Sequence, residues 1–118
     1  MTPILDFRTF IADHLSPVPV YQDLVPEGVD EPACAVTFTA VDEDRVLEGS
    51  IHGKTNTFRI AVVAADDFDV KSIVEDLEKL DNTRSSDYSR IFAQLVNWEA
   101  RESNQPYRRA FVDVRVYQ

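Results

Sequence analysis

Tyr107-Arg108-Arg109-Ala110-Phe111-Val112-Asp113-Val114-Arg115-Val116-Tyr117-Gln118 is the stretch that decides the architecture. Successive side chains in a strand point to opposite faces. Ala110, Val112, Val114 and Val116 therefore share one face, and Arg109, Phe111, Asp113, Arg115 and Tyr117 share the other. A face that meets only water rarely combines two aromatics with three charges. The strand thus predicts a core on one side and a partner on the other.

Three further strands are legible upstream. Ala33 to Val41 alternates Cys34, Val36, Phe38 and Ala40 against small and polar residues, and Thr57 to Ala65 places Phe58, Ile60, Val62 and Ala64 on one face. Ile91 to Trp98 reads as a strand that follows the polar connector Asn82–Ser89. A short extended piece, Val18 to Val25, precedes the turn-rich stretch Pro26–Pro32.

Two helices complete the pattern. Thr2 caps the first, Pro3 fits its first position, and Ile4, Phe7, Ile11 and Leu15 recur at helical spacing until Pro17 and Pro19 stop it. In the second, Asp69 is the expected cap, with Phe68 and Ile73 as a hydrophobic staple around it. Val70, Ile73, Val74, Leu77 and Leu80 form its buried stripe, and Asn82 is the expected left-handed terminator.

Between the first two long strands lies Asp42–Asn56. Gly49 and Gly53 mark turns, yet Val46, Leu47 and Ile51 interrupt the polarity. The stretch predicts a long hairpin that extends past the sheet, with its tip near Glu48-Gly49-Ser50; the competing reading is a loop that folds these apolar residues down. The elements together predict one α+β domain over residues 1–118: a mostly antiparallel sheet, two helices packed on one face, and a long projecting β-hairpin.

Composition narrows the function classes. The chain has 118 residues, 44% hydrophobic and 28% charged, long enough to bury a core without staples. No apolar run approaches the roughly 20 residues that span a bilayer, and the first residues lack the apolar core of a signal peptide. A lone cysteine, Cys34, excludes an internal disulfide; flanked by Ala33, Ala35 and Val36, it reads as a small core residue in a chain made in the cytoplasm.

The net charge of −9 disfavours nucleic acid and anionic membranes as direct partners. Residues 1–50 hold ten acids and two bases, whereas residues 51–118 hold eleven acids and ten bases, among them Arg84, Arg90, Arg101, Arg108 and Arg109. Two explanations fit. The acidic half is a solvated surface, or it meets the Arg-bearing half of a sister copy head to tail.

No catalytic constellation emerges. His14 and His52 are isolated, no glycine-rich phosphate loop or Gly-x-Ser-x-Gly elbow is present, and Ser85, Ser86 and Ser89 have no base nearby. Asp42, Asp44 and Glu48 lack the glycine and final glutamate of a calcium loop. Asp66, Asp67 and Asp69 precede a helix, where negative charge is favourable without a metal. The sequence therefore predicts no catalytic, metal or cofactor site.

Three strings carry a family resemblance: Glu31-Pro32-Ala33-Cys34-Ala35-Val36, Asn56-Thr57-Phe58-Arg59-Ile60-Ala61-Val62-Val63-Ala64-Ala65-Asp66, and Arg108-Arg109-Ala110-Phe111-Val112-Asp113-Val114-Arg115-Val116-Tyr117. With the N-terminal helix and the small size, the chain resembles the tail terminator, or tail completion, proteins of long-tailed bacteriophages. The resemblance implies an α+β subunit of a hexameric ring in the virion tail. That ring caps the tail tube protein, halts tube polymerisation and offers a surface for the head–tail connector, while DNA passes through without specific binding. No catalytic residue comes with it. Three other readings stay open: another ring of the neck or head–tail junction, an acidic monomeric binding module, and a small enzyme. For a ring, the residues expected to meet a neighbour or the tube are Val46, Leu47 and Ile51 of the hairpin and Arg108, Arg109, Phe111, Arg115 and Tyr117 of the last strand.

Overall fold

A computed structural model of the chain describes residues 3–16, 18–23, 32–45, 51–64, 66–85, 88–99 and 108–117; within these spans it leaves out the side chains of residues 3, 4, 40–45, 51–54, 67, 98, 99 and 108. The elements run α1 (Pro3–Leu15), β1 (Val20–Gln22), β2 (Ala33–Arg45), β3 (Ile51–Ala64), α2 (Asp67–Glu78), β4 (Arg90–Glu99) and β5 (Arg108–Tyr117). The five strands form one sheet in the order β1-β2-β3-β5-β4. Among the described residues only the three-residue β1 pairs in parallel, on β2, and the other strand pairings are antiparallel. The fold is α+β with a mostly antiparallel sheet.

Because β5 inserts between β3 and β4, those two strands run in the same direction and α2 connects them across it, a split β-α-β unit. The β3–β5 ladder is the spine. It runs from Thr55↔Tyr117 to Ala64↔Arg108 with no register shift. Pairs such as Phe58↔Val114 and Ile60↔Val112 bring the apolar positions of both strands into phase. A slip of one residue would turn every one of them outward, so the burial pattern fixes the register.

The core is a single cluster on that phase. Phe58, Ile60, Val62, Ala110, Val112, Val114 and Val116 are buried with Cys34, Val36 and Ile91 of the neighbouring strands. Phe7, Ile11 and Leu15 of α1 and Val70, Ile73, Val74, Leu77 and Leu80 from α2 and its end join the same cluster. Each such side chain contributes about 1.5–3 kcal/mol by leaving water. Phe7 stacks on Phe58 with ring centroids 4.1 Å apart. Tyr88, within the connector that composition marks as polar, is also buried and meets Phe10 edge-on at 5.4 Å.

The second helix starts one turn earlier than its sequence predicts. Asp66, extended at φ −133°, is the cap, and its carboxylate accepts a hydrogen bond from the Asp69 amide at 2.9 Å. Asp69 therefore lies inside the first turn. The Phe68–Ile73 staple does not form, because Phe68 points to solvent with 78% of its surface exposed while Ile73 is buried. The end is as expected: Asn82 holds φ 59°, the left-handed conformation that terminates a helix. Beyond it the connector lies against β4. Thr83 and Ile91 exchange backbone hydrogen bonds, and the Ala93 amide donates to Asp81 Oδ1 at 2.9 Å. These contacts occupy the outer edge of β4 at its start, where an open edge would invite pairing with another chain.

The extended piece predicted over Val18–Val25 shortens to β1, and Asp23 just after it takes φ 70°. Cys34 is buried, and burial pushes its thiol up to about 12. It is a core residue. The predicted hairpin tip, Glu48-Gly49-Ser50, and the residues Val46 and Leu47 lie outside the described residues.

Candidate interaction face

The side chains of β5 that do not enter the core define a second surface. Arg109, Phe111, Asp113 and Tyr117 are half-buried and Arg115 is exposed, whereas the alternating residues from Ala110 to Val116 are fully buried. The ladder extends this surface sideways. On β3 the opposing residues are Thr55, Thr57, Arg59, Ala61 and Val63; on β4 they are Arg90, Phe92, Gln94, Asn97 and Glu99. Four of the eight residues predicted to meet a partner thus come together here: Arg109, Phe111, Arg115 and Tyr117. Arg108 pairs with Ala64 at the end of β5, and Ile51 pairs with Arg45 at the far end of β3, away from that group; the side chains of Arg108 and Ile51 are not described.

Aromatic and cationic groups are interleaved across this face. Phe92 meets Tyr117 edge-on, centroids 5.7 Å apart, and the Arg109 guanidinium lies over the Phe111 ring at 5.7 Å. Arg59 grips Asp113 through two parallel hydrogen bonds, Nε to Oδ1 at 2.9 Å and a terminal nitrogen to Oδ2 at 3.2 Å. That pairing holds the Arg59 guanidinium above its ordinary range, first through the hydrogen bonds and then through the opposite charge. An open groove of about 370 Å³ crosses the face, with Thr57, Phe92, Gln94, Asp113 and Arg115 in its walls and Asp81 beside Ala93.

Sequence reasoning missed the β4 contribution. Phe92 is 40% exposed and Val96 48%, and Leu95 is also solvent-facing. A register shift between Leu95 and Asn97 places Val96 outside strict alternation. The signal was present, since Ile91, Phe92, Ala93, Leu95, Val96 and Trp98 are apolar without a period of two. A strand with one solvated face has no need of that.

Two carboxylates line the groove. Both are already engaged, Asp113 by Arg59 and Asp81 by the Ala93 amide. Among the described residues no group of three or more His, Cys, Asp or Glu side chains is placed to hold a metal ion. His14 donates from Nε2 to the Asp76 carbonyl at 2.7 Å, tying the end of α1 to α2. No described helix is long and apolar enough to cross a membrane.

Comparison with models of known protein families and with characterised proteins returned no match.

Proposed function

We propose that the chain is a structural subunit of a cyclic assembly in the tail of a long-tailed bacteriophage, a tail terminator that caps the tube, stops its growth and presents a surface to the head–tail connector. The observation that carries this is the outward face of β5 and β4. It joins Phe92, Phe111 and Tyr117 to Arg59, Arg109 and Arg115 with no element of the described chain covering it. Solvent alone gives no reason to keep three aromatics on the bare side of a sheet, whereas burial against a protein partner does.

Two features of the subunit support the same proposal. Both helices contribute to one core cluster, so they are taken to cover the same face of the sheet and leave the other for a neighbour. The β2–β3 pairing also continues through Glu43↔Lys54 and Asp44↔Gly53 after the β5 ladder has ended at Tyr117, and the chain is elongated, 56 by 24 by 24 Å. A hairpin arm reaching beyond the sheet, carrying Val46, Leu47 and Ile51, would dock on a sister copy or on the tube protein. A ring built this way is a hexamer with an acidic wall, and DNA passes it without being held, because phosphate binding depends on Lys and Arg. The subunit acts in the virion and in the host cytoplasm during assembly, and it performs no catalytic step.

Electron microscopy of particles assembled without this protein tests the role. Tails of abnormal length are the expected result. Tails of normal length that fail to join heads would replace the terminator role with a neck or head–tail joining ring, and unaltered particles would remove the chain from the tail altogether.

A further inference from the structure

We infer that the groove on the outward face of β4 and β5 is the seat for the N-terminal tip of α2 from a second copy of this chain, with Phe68 as the side chain that enters it; this rests on the ring-forming proposal above. Phe68 is by a wide margin the most exposed large apolar residue among the described ones, 78% open to solvent. It stands at the second position of a helix and is bracketed by Asp66, Asp67 and Asp69, with Lys71 following. A single exposed apolar residue is ordinary on a protein surface. What distinguishes this one is the match between its surroundings and the groove.

The charges oppose. From Asp66 to Asp81 the chain holds seven acids and two bases. The outward positions of β3, β5 and β4 carry Arg59, Arg90, Arg109 and Arg115 against two acids: Asp113, whose carboxylate Arg59 already engages, and Glu99, the register partner of Arg109. Asp81, beside the groove, accepts the Ala93 amide, so it is engaged as well. Arg115, exposed and directly across from Phe92, is the cation best placed to receive Asp69 when a Phe68 ring lies against Phe92. An aromatic anchor seated in a pocket is how protein contacts concentrate their affinity, with charges at the rim setting which partner fits.

The geometry also makes the contact intermolecular. The inward side of α2 shares the buried cluster with Ile60 and Val112, so the helix lies on the core side of the sheet, while the groove opens on the other side. One copy therefore cannot fill its own groove. Tip and seat are different patches, and a contact between different patches propagates head to tail until it closes a ring or builds a filament.

Reciprocal charge reversal tests this. Full-length Asp69→Lys and Arg115→Glu variants are measured by native mass spectrometry, singly and mixed in equal amounts, beside wild type and Phe68→Ser; far-UV circular dichroism verifies their fold. Wild type is expected to assemble, Phe68→Ser to associate at least tenfold more weakly, and each reversal alone to remain monomeric. The mixture regains assemblies with both variants alternating, because each then meets an opposite charge. If wild type assembles and all three variants do so equally well, the tip–groove contact is wrong while the ring stands. If wild type is monomeric under every condition, both fall.

Discussion

Arg59 on β3 and Asp113 on β5 are register partners, and their side chains close a two-pronged ion pair on the outward face, 2.9 and 3.2 Å in its two hydrogen bonds. Nearly half of the Arg59 side chain meets water. An exposed pair of this kind contributes about 0.2–1 kcal/mol to folding. It also fixes the Asp113 carboxylate in place on the outward face.

Asp113→Asn is thus expected to change folding stability by less than about 1 kcal/mol, with the difference fading in high salt. Urea melts at low and high ionic strength measure it. The pH lever is closed on the basic side: Arg59 is held above its ordinary range, so its contribution is complete below that range and is lost only in strong alkali.

Cys34 supplies a usable pH signature. Burial pushes its thiol from 9.0 to about 12, so the unfolded chain ionises first as the solution becomes alkaline. Stability from this group is fully present below pH 9 and declines as pH rises from about 9 to about 12. The slope is expected to be shallower in Cys34→Ala, read by urea melts at several alkaline pH values. At pH 8 an alkylating reagent is expected to label Cys34 only at the rate of unfolding.

The Phe7–Phe58 stack joins α1 to the spine of the sheet. Phe7→Ala removes a fully buried ring and is expected to cost about 3–5 kcal/mol, enough to lower the melting temperature by roughly 10 °C or more. Differential scanning calorimetry checks it. An unchanged melting point would mean that α1 is not docked on β3.

The helix caps give a local test of the corrected start of α2. Asp66→Ala is expected to cost about 0.5–2 kcal/mol, because the Asp69 amide loses its acceptor, while Asp69→Ala stays within a few tenths. The reverse order in thermal melts would restore Asp69 as the cap.

Asn56 is 1% exposed, and its side-chain oxygen has no hydrogen-bond partner among the described residues. A buried acceptor left unpaired costs about 1–3 kcal/mol. Asn56→Val, opposite Val116, is expected to raise the melting temperature by a few degrees.

Most of this architecture was legible because its core follows strict periods. Val112, Val114 and Val116 alternate, Phe7, Ile11 and Leu15 recur along a helix, and the structure buries all six. The start of α2 was misread because four residues, Asp66 to Asp69, offer three aspartates, and only backbone geometry selects the one that caps. Tyr88 was missed because its neighbours are polar, and one buried aromatic in a connector carries no period. Phe92 and Val96 were missed for a different reason: a bulge breaks the alternation of β4, and what an edge strand exposes depends on what lies beside it. The arm residues Val46 and Leu47 lie outside the described residues.

Sedimentation equilibrium of the full-length protein, from micromolar to near-millimolar concentration, tests the central claim most directly: that sister copies cover the outward face of β4 and β5. The expected result is a mass that climbs with concentration toward six times the 13.4 kDa of one chain, and a Phe111→Arg variant that stays at the single-chain value. A wild-type mass of 13.4 kDa at every concentration would contradict it.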